Sequence, residues 1–254
     1  FTLPASGEAG GVASATEAYY SFDYANIHFV VLDSHDSDRS LTGAMLTWLE
    51  QDLAATTQDW ILAYWHHPPY SKGFHDSDTE GRMVEMRQNV VPILDDYGVD
   101  LEFAGHSHDY ERSFLIAGHY GTAATFQESM KVDGGDGRES GTGAYQKSTT
   151  GPIPYSGIIH TVAGSSGETL GGSHDHPAMF LSLMQMGSVV VDVHGPRLDA
   201  VFLGASGQIL TLRPLGGPWE QGTTLLRLDS AVRPAGRHTS TRGTLRRPSV
   251  PMSC

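Results

Sequence analysis

Two short apolar runs, residues 60–65 and 99–104, each lead straight into histidine. That pairing limits the folds open to this chain more than any other feature. Runs of this length read as buried strands. After Ala104, Gly105 allows a sharp change of direction, and His106-Ser107-His108-Asp109-Tyr110-Glu111-Arg112 follows. In extended backbone the i, i+2 spacing of His106 and His108 puts both imidazoles on one side. The first run ends in His66-His67-Pro68-Pro69, where proline forbids continuation of the strand. Adjacent histidines in extended backbone point to opposite faces. One of the two is therefore expected at a shared site, the other as a substrate contact, a support behind the site or a surface group. Ligand sites in open α/β sheets lie outside the carboxyl ends of strands. Imidazoles converging there, with Asp109 and Glu111 nearby, suit a divalent or trivalent metal. In a chain with 13 histidines a lone His-x-His arises by chance. Two strands that each deliver imidazole make the stronger case.

The rest of the pattern is that of an α/β chain. Residues 19–24 and 27–32 read as a hairpin around Ala25-Asn26. A helix is expected over 41–55, with Leu46, Leu49 and Leu53 at helical spacing. A second covers 80–97, with core methionines Met83 and Met86 and a kink at Pro92. Residues 118–152 form a long Gly/Ser/Thr-rich stretch read as a surface loop, in which Lys131, Arg138 and Lys147 are candidates to meet a phosphate. Strands are expected at 158–163, 189–193, 198–203 and 209–212, with Gly164-Ser165-Ser166-Gly167 as a turn. His174-Asp175-His176 lies in a Gly-rich loop and reads as structural or as site rim. From Pro214 onward the composition is that of a disordered tail.

At 254 residues the chain can bury a sizeable core. Its net charge of -13 argues against nucleic acid as an electrostatic partner. It leaves anionic substrates open, because metals at a site dominate the local field. The one cysteine, Cys254, excludes an internal disulfide framework. No apolar run approaches membrane-spanning length. No signal peptide is visible, and the chain opens at Phe1 without Met, so its true amino terminus is expected elsewhere. Oligomeric state is left open.

The segments Ala63-Tyr64-Trp65-His66 and Gly105-His106-Ser107-His108, followed by Tyr110-Glu111-Arg112, resemble the last two metal motifs of the calcineurin-like metallophosphoesterases. The purple acid phosphatase branch, with its Gly-His-x-His-x-Tyr-Glu-Arg run, is the nearer likeness, and it extends from about residue 1 to about 212. The resemblance implies a layered α-β-β-α sandwich. It implies that His66 and His106 bind one metal and His108 the other; His67 is expected as a substrate contact, with a support behind the site or a surface position as the other readings. His75, in Gly73-Phe74-His75, sits where plant-type members place a histidine that contacts phosphate or assists the leaving group; a solvated loop histidine is the other reading. The complete site of such enzymes holds two transition-metal ions, Fe with Zn, Mn or Fe, and acts on small phosphate monoesters outside the cytoplasm.

The chain departs from the family in one respect. The upstream Asp-x-His, Gly-Asp and Gly-Asn-His motifs, which supply the carboxylate and asparagine ligands, are not found in order. Asp33-Ser34-His35 imitates an opening Asp-x-His, but nothing between it and His66 continues the set. Residues 1–213 are thus expected to be the C-terminal part of the catalytic domain, lacking its N-terminal βα units, and residues 214–254 a tail. A non-catalytic metal-binding remnant and a phosphodiesterase on the same fold are the alternatives.

Overall fold

The computed structural model describes residues 2–138, 141–147 and 153–209, and the backbone of 226–230. The hairpin pairs β1 (Tyr20–Tyr24) with β2 (Ile27–Val31) in register, Ala25 taking the left-handed turn at φ 54°. Then come α1 (Ala44–Ala55), β3 (Trp60–Tyr64), α2 (Gly81–Glu85), a π turn (Met86–Val90), α3 (Val91–Asp96), β4 (Leu101–Ala104) and β5 (Tyr110–Ser113). The remaining strands are β6 (Leu115–Ile116), β7 (Lys131–Asp133), β8 (Tyr145–Lys147), β9 (Ile159–Ala163), β10 (Met179–Leu183), β11 (Gly187–His194), β12 (Arg197–Gly204) and β13 (Leu226–Ser230).

The main sheet has the order β1-β2-β3-β4-β9-β5-β10, parallel from β2 through β9. Strand alternation divides its side chains between two layers. Ile61 and Ala63 pack under α1 and the second helix with Leu46, Leu49, Met86 and Leu94. Trp60 and Leu62 face the second sheet, β11-β12-β13-β8, and meet Leu198 and Ala200. Helices, sheet and second sheet are three layers of the expected sandwich. Each buried leucine of α1 contributes about 1.5–3 kcal/mol, so this packing, rather than capping, holds the helix: Gly43 makes no side-chain cap bond.

The second helix is interrupted where Pro92 lacks an N–H, and the π turn immediately precedes it. From that turn the buried Arg87 donates from Nη1 to Pro69 O (3.1 Å) and Ser77 O (2.5 Å), tying down the loop between β3 and α2.

Within the stretch 118–152, residues 118–138 and 141–147 are described, and they carry strands where a surface loop was expected. They contribute β7, paired with β6, and β8, parallel to β13. Their basic residues are engaged in ion pairs: Lys147 with buried Asp100 (2.5 Å), Arg138 with Asp136 (3.0 Å), Lys131 with Glu128 (2.9 Å). Strands β5 and β10, not expected from the pattern, extend the main sheet. Of the expected strand 209–212, Ile209 bridges Leu203 and the rest lies outside the described residues. The tail also lies outside them except for β13, where Leu-Arg-Leu-Asp-Ser alternates as a strand does. Among the described residues no helix is long and apolar enough to cross a membrane.

Candidate metal and phosphate site

Strands β3 and β4 are parallel neighbours, so their carboxyl ends open on the same edge. There His66, His67, His75 and His106 gather. His106 is the centre: its ring centroid lies 5.0 Å from that of His66, 4.4 Å from His67 and 3.7 Å from His75, the last pair stacked. Its Nδ1 stands 3.2 Å from His66 Nε2, and its Nε2 bonds Glu80 Oε2 at 2.9 Å. The other Glu80 oxygen bonds His75 Nδ1.

Both histidines of the first pair reach this cluster, although strand alternation alone would point them to opposite faces. β3 ends at Tyr64, and the chain bends before Pro68, so strand alternation no longer applies. The reverse holds for the second pair. His106 has φ +62°, a left-handed conformation that histidine tolerates better than most residues. This breaks the i, i+2 register. His108 is turned toward Glu168 (Nδ1 to Oε2 3.5 Å), its Nδ1 buried without a hydrogen-bond partner.

Ser34 fixes His67. The Ser34 hydroxyl oxygen accepts the backbone N–H groups of His66 (3.2 Å) and His67 (3.0 Å), which leaves its own proton to donate to His67 Nδ1 at 2.8 Å. In the neutral ring the remaining proton is then on Nε2. Burial, with the neighbouring His106, His66, Arg82 and His35, pushes the His67 pKa down to about 3, so the ring stays neutral. Burial and His106 also lower His66.

Asp109 and Glu111 do not join the histidines. Both are buried, Asp109 accepting from His174 Nε2 (3.0 Å) and Glu111 from Ser182 (3.0 Å). Burial pushes both carboxyls up to about 7. Asp33 serves its own loop, accepting N–H groups of His35, Asp36 and Ser37. His176 is buried against Tyr70, away from the cluster (5.5 Å between their rings). Gly164 allows the loop after β9 to lie on the His106–His108 turn, since a Cβ there would sit 2.0 Å from Ser107 O.

The donors fit an ion. A tetrahedral centre with Zn–N bonds of about 2.0–2.1 Å sets its nitrogens about 3.3 Å apart; His66 Nε2 and His106 Nδ1 stand at 3.2 Å. Among the described residues, two trios bring ligand atoms within 4.8 Å of one another: His66, His67, His106 and His75, Glu80, His106. With its Nε2 protonated, His67 is a hydrogen-bond donor to the site rather than a third ligand.

Residues 3–110 match the calcineurin-like phosphoesterase family. This chain is similar to purple acid phosphatase 23 of Arabidopsis thaliana, 40% identical over 116 residues, which are 44% of this chain and 23% of that protein. It is also similar to the phosphoenolpyruvate phosphatase of Allium cepa, 34% identical over 109 residues, 41% of this chain and 22% of that protein. The chain thus spans under a quarter of the length of these relatives. Purple acid phosphatase PPD1 from yellow lupin seeds has the same fold, with a TM-score of 0.62 over 84% of this chain and 32% of that one at 18% identity.

Two residues of the site escape a reading of the sequence. Ser34 looked like part of a misplaced metal motif. Glu80 looked like a helix start, and its only signal is a carboxylate close after His75.

Proposed function

We propose that this chain forms the histidine-bearing part of a metal-dependent phosphomonoesterase site. The convergence of His66 and His106 at 3.2 Å, between the ends of two parallel strands, is the observation that carries the reading. His66 Nε2 and His106 Nδ1 hold one ion. His108, whose Nδ1 makes no hydrogen bond and lies 3.5 Å from Glu168 Oε2, is the donor left for a second. Imidazole suits Fe, Zn and Mn alike, and the pair Fe with Zn, Mn or Fe follows from the purple acid phosphatase likeness. A bound transition metal supplies Lewis acidity toward a phosphoryl oxygen and activates water near neutral pH.

The chain's own groups do the rest. His67 donates from Nε2–H to a phosphate oxygen and holds the ester against the site. His75, on the loop tied by Arg87 and bonded to Glu80 through Nδ1–H, gives a proton to the departing alkoxide oxygen when its Nε2 is protonated as well, the ring returning to its neutral form. The partner is then a small phosphate ester, and a secreted or extracytoplasmic setting follows from the purple acid phosphatase likeness.

A second reading, a metal-binding remnant without turnover, is favoured by one observation. Among the described residues, the two donor trios include a single carboxylate, Glu80. Assay of the purified chain with Zn²⁺, Mn²⁺ or Fe ions separates the two. Metal-dependent turnover of p-nitrophenyl phosphate, slower with bis(p-nitrophenyl) phosphate and lost in His66→Ala, supports the monoesterase. Metal binding without turnover of either supports the remnant; faster diester turnover would make it a phosphodiesterase.

A further inference from the structure

Glu80 stands just before α2, at φ -81° and ψ 119°, where the loop carrying His75 turns into the helix. Its two oxygens engage two different histidines: Oε1 meets His75 Nδ1, and Oε2 meets His106 Nε2 at 2.9 Å. The two rings lie stacked, 25° from parallel. An ionised carboxylate only accepts hydrogen bonds. Both ring nitrogens that face it therefore carry protons. In the neutral rings, the opposite nitrogens are then bare: His106 Nδ1, which looks at His66 Nε2, and His75 Nε2, which is free to exchange a proton.

We propose that Glu80 is the positioning residue of this site, one carboxylate setting the tautomers of both His106 and His75. The arrangement is a carboxylate–histidine support of the kind that orients metal ligands, here shared with the histidine that handles the proton. What the two bare nitrogens act on rests on the phosphoesterase reading; the tautomers themselves do not.

Glutamine at position 80 makes the test sharp. Its amide has one accepting oxygen and one donating NH₂ in place of two acceptors. It can keep one histidine in its present tautomer only by forcing the other to present a bare nitrogen to the NH₂. The first measurement is ring ¹⁵N NMR of the metal-free chain. The expected spectrum has His75 as the Nδ1–H form and His106 as the Nε2–H form, and Glu80→Gln shifts one of them to the opposite form while the other resonances stay in place. The second is Zn²⁺ titration, in which Glu80→Gln is expected to weaken binding by about 10- to 100-fold, and Glu80→Asp to recover part of the loss.

Tautomers unaltered by Glu80→Gln would overturn the proposal. So would a loaded chain in which His106 binds the ion through Nε2, for Glu80 would then be a ligand itself. If the tautomers respond to Glu80→Gln but wild type takes up no Zn²⁺, the metal reading fails and the role of Glu80 stands.

Discussion

His66 Nε2 and His106 Nδ1 lie 3.2 Å apart although forty residues separate them in the chain. Two neutral ring nitrogens brought this close need either a shared proton or a shared ion. The donor spacing fits an ion as well as a proton, and only the ion makes a testable claim on metals. The chain is accordingly expected to bind Zn²⁺ or Mn²⁺, with EDTA reversing it. His66→Ala or His106→Ala should each weaken binding by at least an order of magnitude, read by calorimetric titration. Unchanged affinity in both variants would remove the ion from this position.

Ser34 holds the ends of two backbone bonds and one imidazole. Ser34→Ala leaves buried polar groups unsatisfied, at a cost of about 1–3 kcal/mol. Urea denaturation should report that loss. Phosphate affinity should fall with it, because His67 is freed to move its proton to Nδ1; an unaltered inorganic phosphate titration would contradict this role.

The strand ends were legible because short apolar runs and the His-Pro and Gly-His boundaries are local signals. The hairpin at Ala25, the leucines of α1 and the interruption at Pro92 follow from the same local rules. What the sequence could not show were the directions taken beyond the strands. Whether His67 turns in depends on a hydroxyl 33 residues away, and whether His108 turns out depends on the left-handed backbone at His106. Neither has a periodic signature. Strand β5 was hidden because its residues, Tyr110-Glu111-Arg112-Ser113, are polar yet all buried.

The close approach at Gly164 gives a backbone test. Gly164→Ala places a methyl 2.0 Å from Ser107 O, which must displace either the loop or the His106–His108 turn. A destabilisation of about 1–3 kcal/mol is expected, together with weaker metal binding. A variant with wild-type stability and affinity would show that the two loops do not pack as described.

Stability should depend on pH through histidines of opposite kinds. His28 is buried between Asp52 (2.8 Å) and Asp23 (2.7 Å). Burial works against its charge, but the bonds to both carboxylates outweigh it and raise its pKa above 6.5. A raised folded pKa means stability that is fully present below pH 6.5 and lost as pH rises through the folded value. His160 and His176 behave in the opposite sense. Burial, with charge repulsion from His119, depresses each to about 3. Their contribution is present above pH 6.5 and drains away as pH falls toward 3. Melting temperatures across this range should fall on both sides, and His28→Gln should flatten the alkaline limb alone. An alkaline limb unaffected by that variant would contradict the buried His28 clasp.

The most direct test is X-ray absorption at the zinc edge of the Zn²⁺-loaded chain. Multiple scattering from two imidazoles, reduced to one in His106→Ala, is the expected result. A zinc environment without histidine, or one indifferent to the loss of His106, would contradict the shared ion on which the phosphoesterase reading depends.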